Sequence, residues 1–274
     1  MILDTTRRWA GCLFRGKGSA ALILDKFSLK GKAALVTGSS RGLGAAIALA
    51  LAEAGARVAV HGSKAVPEAT EMRLDGMGAE HVGLVGDVGD AAVCARLVEE
   101  TIERLGRLDI LVNNAGIIRR TPAVDFSEED WKATIEVNLS SVFRLTQRAG
   151  RHMLERGSGK IINIASLLAF QGGILVPAYT AAKAGVAQLT KAFANEWAAK
   201  GVNVNAIAPG YMATDNTVAL QKDPVRSRQI LERIPAGRWG KPEDLAGAAV
   251  FLASAASDYV HGHVLVIDGG WMNR

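Results

Sequence analysis

Only two of the 274 residues are cysteine, Cys12 and Cys94, so no disulfide framework organises the chain, and reduced thiols in a cytoplasmic protein are expected. No apolar run approaches the ~18 residues of a membrane span. No internal repeat, low-complexity segment or linker-like stretch interrupts the sequence, so one domain is expected from residue 22 to 274. Aromatic residues make up 5%, and no aromatic-basic patch marks a nucleic-acid surface. The five histidines, His61, His81, His152, His261 and His263, are scattered; no metal is implied, and surface or packing roles are expected for all of them.

What is present is a large apolar fraction, 49%, ample for a buried core. The net charge of +5 would point to a polyanionic partner if it were spread over the molecule. It is not: residues 1–21 carry Arg7, Arg8, Arg15 and Lys17 against Asp4, which leaves the remainder close to neutral. This extension is expected to be an overlong gene start, because a domain-like pattern begins at Leu22. A disordered native extension is one alternative. An organelle presequence is another, weakened by low serine content and the lack of a 7–15-residue apolar core.

Short runs rich in Val or Ile predict strands at 33–37, 57–61, 81–86, 110–113, 160–164, 203–207 and 264–267. Helices are expected between them, including 45–54, 91–105, 128–155 and 178–199, with Ser127 and Asp130 as a capping box for the third of these. Alternation of this kind gives an α/β fold: a seven-stranded, mostly parallel sheet with helices on both faces.

Tyr179 and Lys183 are four residues apart in a helical segment, which stacks phenol and ammonium on one face. Lowering a phenol pKa from about 10 to about 7 requires roughly 4 kcal/mol. One ammonium at ~4 Å supplies about that much at an effective dielectric near 20. An isolated pair would be an ordinary solvated helix face. This pair follows Ser166, which closes the apolar run 160–166, and it is accompanied by a glycine turn. In that turn 32–38 runs as a strand into Gly38, Gly42 and Gly44 and then an alanine-rich helix. Gly38 permits the tight turn, Gly42 the approach of a pyrophosphate, and Gly44 close packing of the helix, whose open amides face phosphate.

The spacing Gly38-x-x-x-Gly42-x-Gly44, with Asn113-Asn-Ala-Gly116, Asn138, Ser166, Tyr179-x-x-x-Lys183 and Pro209-Gly210, resembles the short-chain dehydrogenase/reductase family over 29–274. The resemblance implies a single doubly wound Rossmann-type domain, an NAD(P)-dependent oxidoreductase acting on CH–OH groups, and a homotetramer. Tyr179 is then the proton donor in reduction and acceptor in oxidation, and Ser166 the group that steadies the substrate oxygen. Lys183 binds the nicotinamide ribose and lowers the Tyr179 pKa, and Asn138 anchors a water that links Lys183 to solvent, with an interhelical hydrogen bond as the alternative role. Cofactor contacts are implied at Gly38, Ser40, Arg41, Gly42, Leu43 and Gly44, at Asp87 and Val88, at Asn114, Ala115 and Gly116, and at Pro209, Gly210, Met212 and Thr214.

The end of the second strand lacks the acidic side chain that would bind a ribose 2′-hydroxyl, while Arg41 with Ser63 or Lys64 suits a 2′-phosphate, so the sequence leans to NADP over NAD. The segments 113–120, with Arg119 and Arg120, 170–173, with Gln171, 208–214 and 233–240, and the ending 268–274, resemble a branch of the family acting on sugar acids of the 2-dehydro-3-deoxy-D-gluconate or 2-deoxy-D-gluconate type. Arg119 or Arg120, with Gln171, is expected to meet the substrate carboxylate. A 3-oxoacyl carrier-protein reductase is the principal alternative, and a non-catalytic dinucleotide-binding regulator a distant one.

Overall fold

The computed structural model describes residues 22–274, so the extension expected at 1–21 lies outside the described residues. Seven strands form one sheet: β1 (Ala33–Val36), β2 (Arg57–Gly62), β3 (His81–Val85), β4 (Ile110–Asn113), β5 (Gly159–Ile164), β6 (Val202–Pro209) and β7 (Val264–Ile267). Their order is β3-β2-β1-β4-β5-β6-β7, and every pairing is parallel rather than mostly so. Parallel neighbours need crossovers, and nine helices occur among the described residues: α1 (Gly42–Glu53), α2 (Glu68–Gly76), α3 (Ala91–Leu105), α4 (Glu128–Ile135), α5 (Ser141–Glu155), α6 (Pro177–Trp197), α7 (Val218–Lys222), α8 (Pro224–Arg233) and α9 (Ala246–Ala253).

Side-chain alternation along the strands divides the core in two. Ala34 and Val36 face one side with Ile47 and Leu51 of α1, Leu74 of α2 and Leu252 of α9. Ala33 and Leu35 face the other with Leu97 of α3, Leu145 of α5 and Trp197 of α6. Both faces of β1, β4 and β6 are therefore buried, which is why β1 and most of β4 read as continuous apolar runs, while β6 also buries Asn203 and Asn205.

Two helix expectations are corrected. α1 begins at Gly42 rather than at residue 45, because the glycine turn is itself the first turn of the helix. The single helix expected over 128–155 is two, joined by a π-turn at Glu136–Ser140. Ser127 caps α4 by accepting from the Asp130 amide at 3.1 Å, one half of the expected box.

The strand order reverses between β1 and β4, and this switch point opens a crevice at their C-terminal ends. Across it, the Asn114 side chain donates to the carbonyls of Thr37 and Gly38, both at 2.9 Å. α1 packs directly on this junction: a Cβ at Gly44 would lie 2.3 Å from the Gly38 carbonyl oxygen and 2.4 Å from Asn114 Nδ2. Neither backbone nor amide can yield that space, so Gly44→Ala is expected to lower stability by about 3 kcal/mol. Urea unfolding checks this; a midpoint equal to that of the unsubstituted protein would refute the packing argument.

Candidate active site

Most of the expected site residues follow C-terminal ends of the parallel strands, while Asn138 lies in the π-turn and Tyr179 and Lys183 on α6. Gly38–Gly44 follows β1, Ser63 follows β2, Asp87 and Val88 follow β3, Asn114–Gly116 follows β4, Ser166 follows β5, and Gly210–Thr214 follows β6, whose last residue is Pro209. Gly38 and Gly42 take the left-handed backbone, with φ of +64° and +56°. α1 has no side-chain cap, so its first amides remain free as donors toward an anion. A glycine turn left-handed at Gly38 and Gly42 and closed to a Cβ at Gly44, followed by an uncapped twelve-residue helix, suits a dinucleotide pyrophosphate.

His61, expected to serve surface or packing, is buried and carries a defined role. Its Nδ1 accepts from the Gly38 amide at 3.0 Å, which places the ring proton on Nε2, and that nitrogen donates to the Gly86 carbonyl at 2.8 Å. The neutral ring thus ties the glycine turn to the end of β3. Burial lowers its pKa, as does the nearby Arg96, while the Gly86 bond and Asp87 oppose them.

A cavity of about 520 Å³ opens beside this turn and is lined by Leu43, Ser166, Tyr179, Pro209, Gly210, Met212 and Thr214 among others. Ser166 and Tyr179 meet in its wall. Burial raises the phenol pKa; Ser166 and then Arg120 oppose that rise by favouring the phenolate. Lys183 lies on the Tyr179 face of α6, as the helical spacing suggests. Its ammonium donates to the Ile164 carbonyl at 2.6 Å and lies 5.6 Å from the Tyr179 ring centroid. Burial lowers its own pKa to about 8. Sharing a helix face brings Lys183 beside the ring, while the last carbonyl of β5 accepts a hydrogen bond from its ammonium.

Asn138 sits within the π-turn and is fully buried. Its side chain makes both bonds to one residue, accepting from the Ile117 amide at 2.8 Å and donating to the Ile117 carbonyl at 2.7 Å. This is a helix-to-loop clamp rather than the interhelical bond considered as its alternative role. Gly116 is pressed against it, since a Cβ there would lie 2.8 Å from Asn138 Oδ1.

The substrate candidates separate. Arg120 lines the cavity and donates to the Asn216 carbonyl at 2.9 Å, joining the loops after β4 and β6. Its loop is braced by the Thr121 amide, which donates to Leu175 at 3.0 Å; Leu175 has φ +66°, the one positive value at a non-glycine among the described residues. Gln171 also lines the cavity. Arg119 does not: it pairs with Asp130 at 3.4 Å. Arg41, expected to receive a phosphate, is paired with Asp215 at 2.7 Å on an exposed rim, and Ser63 and Lys64 are exposed just after β2. Arg226, Arg233, Tyr211, Asn216 and Trp271 line the cavity without having been assigned a role from the sequence. The signal for two of these was the seven-residue spacing of Arg226 and Arg233, one helical face of 224–233.

The His61 arrangement predicts an acid-side loss of stability. Because its folded pKa lies below the unfolded value, the unfolded chain binds the proton first as pH falls; the stabilisation is complete above about pH 6.5 and declines below it toward the folded pKa. His61→Gln offers the same acceptor and donor without titrating. Its Tm between pH 5 and 8 is expected to vary less than that of the unsubstituted protein, and identical profiles would discount His61.

Comparison with known proteins agrees with this geometry. A family model described as enoyl-(acyl carrier protein) reductase matches residues 38–272. The chain is 56% identical over 250 residues to 2-dehydro-3-deoxy-D-gluconate 5-dehydrogenase of Bacillus subtilis, covering 91% of this chain and 98% of that one. A solved Agrobacterium tumefaciens structure with bound NADP, a proposed 2-deoxy-D-gluconate 3-dehydrogenase, superposes with a TM-score of 0.86 at 54% identity, covering 91% of this chain and all of that one. Gluconate 5-dehydrogenase from Burkholderia cenocepacia, in complex with NADP and tartrate, gives 0.86 at 44% identity, with 92% and 99% covered. The glycine turn, the Ser166, Tyr179 and Lys183 arrangement and these similarities together make the chain a member of the short-chain dehydrogenase/reductase family.

Proposed function

We propose that this enzyme exchanges a hydride between NADP(H) and the ketone or secondary alcohol of a sugar acid, of the 2-dehydro-3-deoxy-D-gluconate or 2-deoxy-D-gluconate type. One observation carries the reading: among the described residues, the cavity that holds Ser166 and Tyr179 is lined by three arginines, Arg120, Arg226 and Arg233, and by no carboxylate. A neutral alcohol or an acyl chain has no use for such a wall, whereas an acid does. The names of the relatives agree, and tartrate in the Burkholderia enzyme is itself a dicarboxylate.

The free amides at the start of α1 would hold the pyrophosphate, with Asp87 and Val88 at the adenine, Asn114, Ala115 and Gly116 along the ribose, and 209–214 at the carboxamide. The bound nicotinamide supplies or accepts the hydride. In reduction Tyr179 gives its proton to the carbonyl oxygen, and Ser166 donates a hydrogen bond to that oxygen as negative charge develops. Arg120 favours the phenolate left behind, and Lys183 holds its charge at the end of β5 beside the ring. Among the described residues no carboxylate closes β2, which favours a 2′-phosphate; Arg41 would exchange Asp215 for it. A homotetramer and a cytoplasmic location accompany this reading, and sedimentation tests the first.

Tyr179→Phe is expected to lower kcat by on the order of 10³-fold while NADPH still binds; turnover near that of the unsubstituted enzyme would remove Tyr179 from its role. Reduction of a 2,5-dioxo-3-deoxy sugar acid is expected to exceed that of an acetoacetyl thioester, and NADPH to exceed NADH in kcat/KM. Preference for the thioester would move the enzyme to carrier-protein chemistry. A strong NADH preference would overturn the 2′-phosphate assignment.

A further inference from the structure

We infer that Arg226 and Arg233, presented by one face of α8, form the carboxylate-recognition subsite of the substrate cavity, with Trp271 as the platform that holds Arg233. The inference rests on the sugar-acid reading and deepens it by separating the group that reads the acid from the groups that act on the carbonyl.

Positions 226, 230 and 233 follow the i, i+4, i+7 spacing of a single helical face. Ile230, between the two arginines, is 1% exposed and packs with Leu167, Ile234 and Trp271, fixing that face toward the cavity. The third arginine of the helix supplies a contrast. Arg228 does not line the cavity and has its own carboxylate, Glu232, at 4.0 Å. Arg226 and Arg233 have none within 4.0 Å among the described residues; Arg226 reaches only the Gln229 amide oxygen, at 3.3 Å. Two unneutralised cations lining one cavity repel each other, and a carboxylate between them would relieve that repulsion.

The placement of Arg233 suits the task. Its guanidinium carbon lies 4.1 Å from the centroid of the Trp271 ring. Packing the guanidinium on an aromatic ring orders the side chain while leaving its N–H edge available for a bidentate anion. Trp271 is 5% exposed, and its Nε1 donates to Gln171 Oε1 at 3.4 Å, so the platform is anchored to the loop that follows Ser166. Arg120 stands apart from this arrangement. It is committed to the Asn216 carbonyl and acts on the Tyr179 phenol, which assigns it to the reacting end.

The test compares a 2,5-dioxo-3-deoxy sugar acid with its primary amide as substrates for NADPH oxidation by the unsubstituted enzyme, R226Q and R233Q. The measured quantity is the acid-to-amide ratio of kcat/KM within each protein, which does not depend on the fraction of active enzyme. The unsubstituted enzyme is expected to prefer the acid, and each variant to lose that preference by roughly 10- to 100-fold, through KM rather than kcat. R233K, keeping the charge but not the fork, is expected to fall between. An unsubstituted enzyme indifferent to acid or amide would sink the proposed substrate class itself. A preference that survives in both variants would sink only the subsite and return the carboxylate to Arg120. Equal losses on acid and amide would make the two arginines structural and likewise overturn the assignment.

Discussion

The contact on which the rest of the site depends is the one among Gly44, the Gly38 carbonyl and the Asn114 amide. It leaves no room for even a methyl group. By closing the gap between the ends of β1 and β4 it sets the depth of the crevice and brings the uncapped start of α1 to its floor. A looser junction would keep the sheet and lose the register between the dinucleotide groove and the reacting groups.

A second set of buried amides carries that register to the catalytic helix. Asn113 donates to Thr146 of α5 at 3.0 Å and to Asn163 of β5 at 2.8 Å, and Asn163 donates in turn to Thr190 of α6 at 2.9 Å. Polar groups buried this deeply are costly unless paired, so each bond fixes one spacing between strand and helix. Tyr179 and Lys183 ride on the same α6, which is why the phenol meets Ser166 while the ammonium meets the last carbonyl of β5.

The sheet was legible in the sequence because its strands are short runs rich in Val and Ile, and the glycine turn because its glycines are required by φ or by close approach. Local spacing showed that Tyr179 and Lys183 share a face, but where the ammonium points was decided by Ile164, nineteen residues away. The imidazole of His61 was equally opaque, since its partners Gly38 and Gly86 come from other strand ends. Arg226 and Arg233 carry no local signal beyond their seven-residue spacing. Only the long-range packing of Ile230 against Trp271 turns their face inward. Arg119 and Arg120 are adjacent and chemically identical, and the loop sends one to Asp130 and the other to the cavity.

The π-turn at Glu136–Ser140 makes the site depend on a count of residues as well as on their identities. A regular helix advances about 100° per residue, so removing one residue there would restore an unbroken α-helix while turning α4 by that angle relative to α5. Asn138 could then keep its chemistry and lose its aim at Ile117. For this stretch, length is a stricter inheritance than sequence: it can absorb exchanges of side chains far more readily than the gain or loss of a codon.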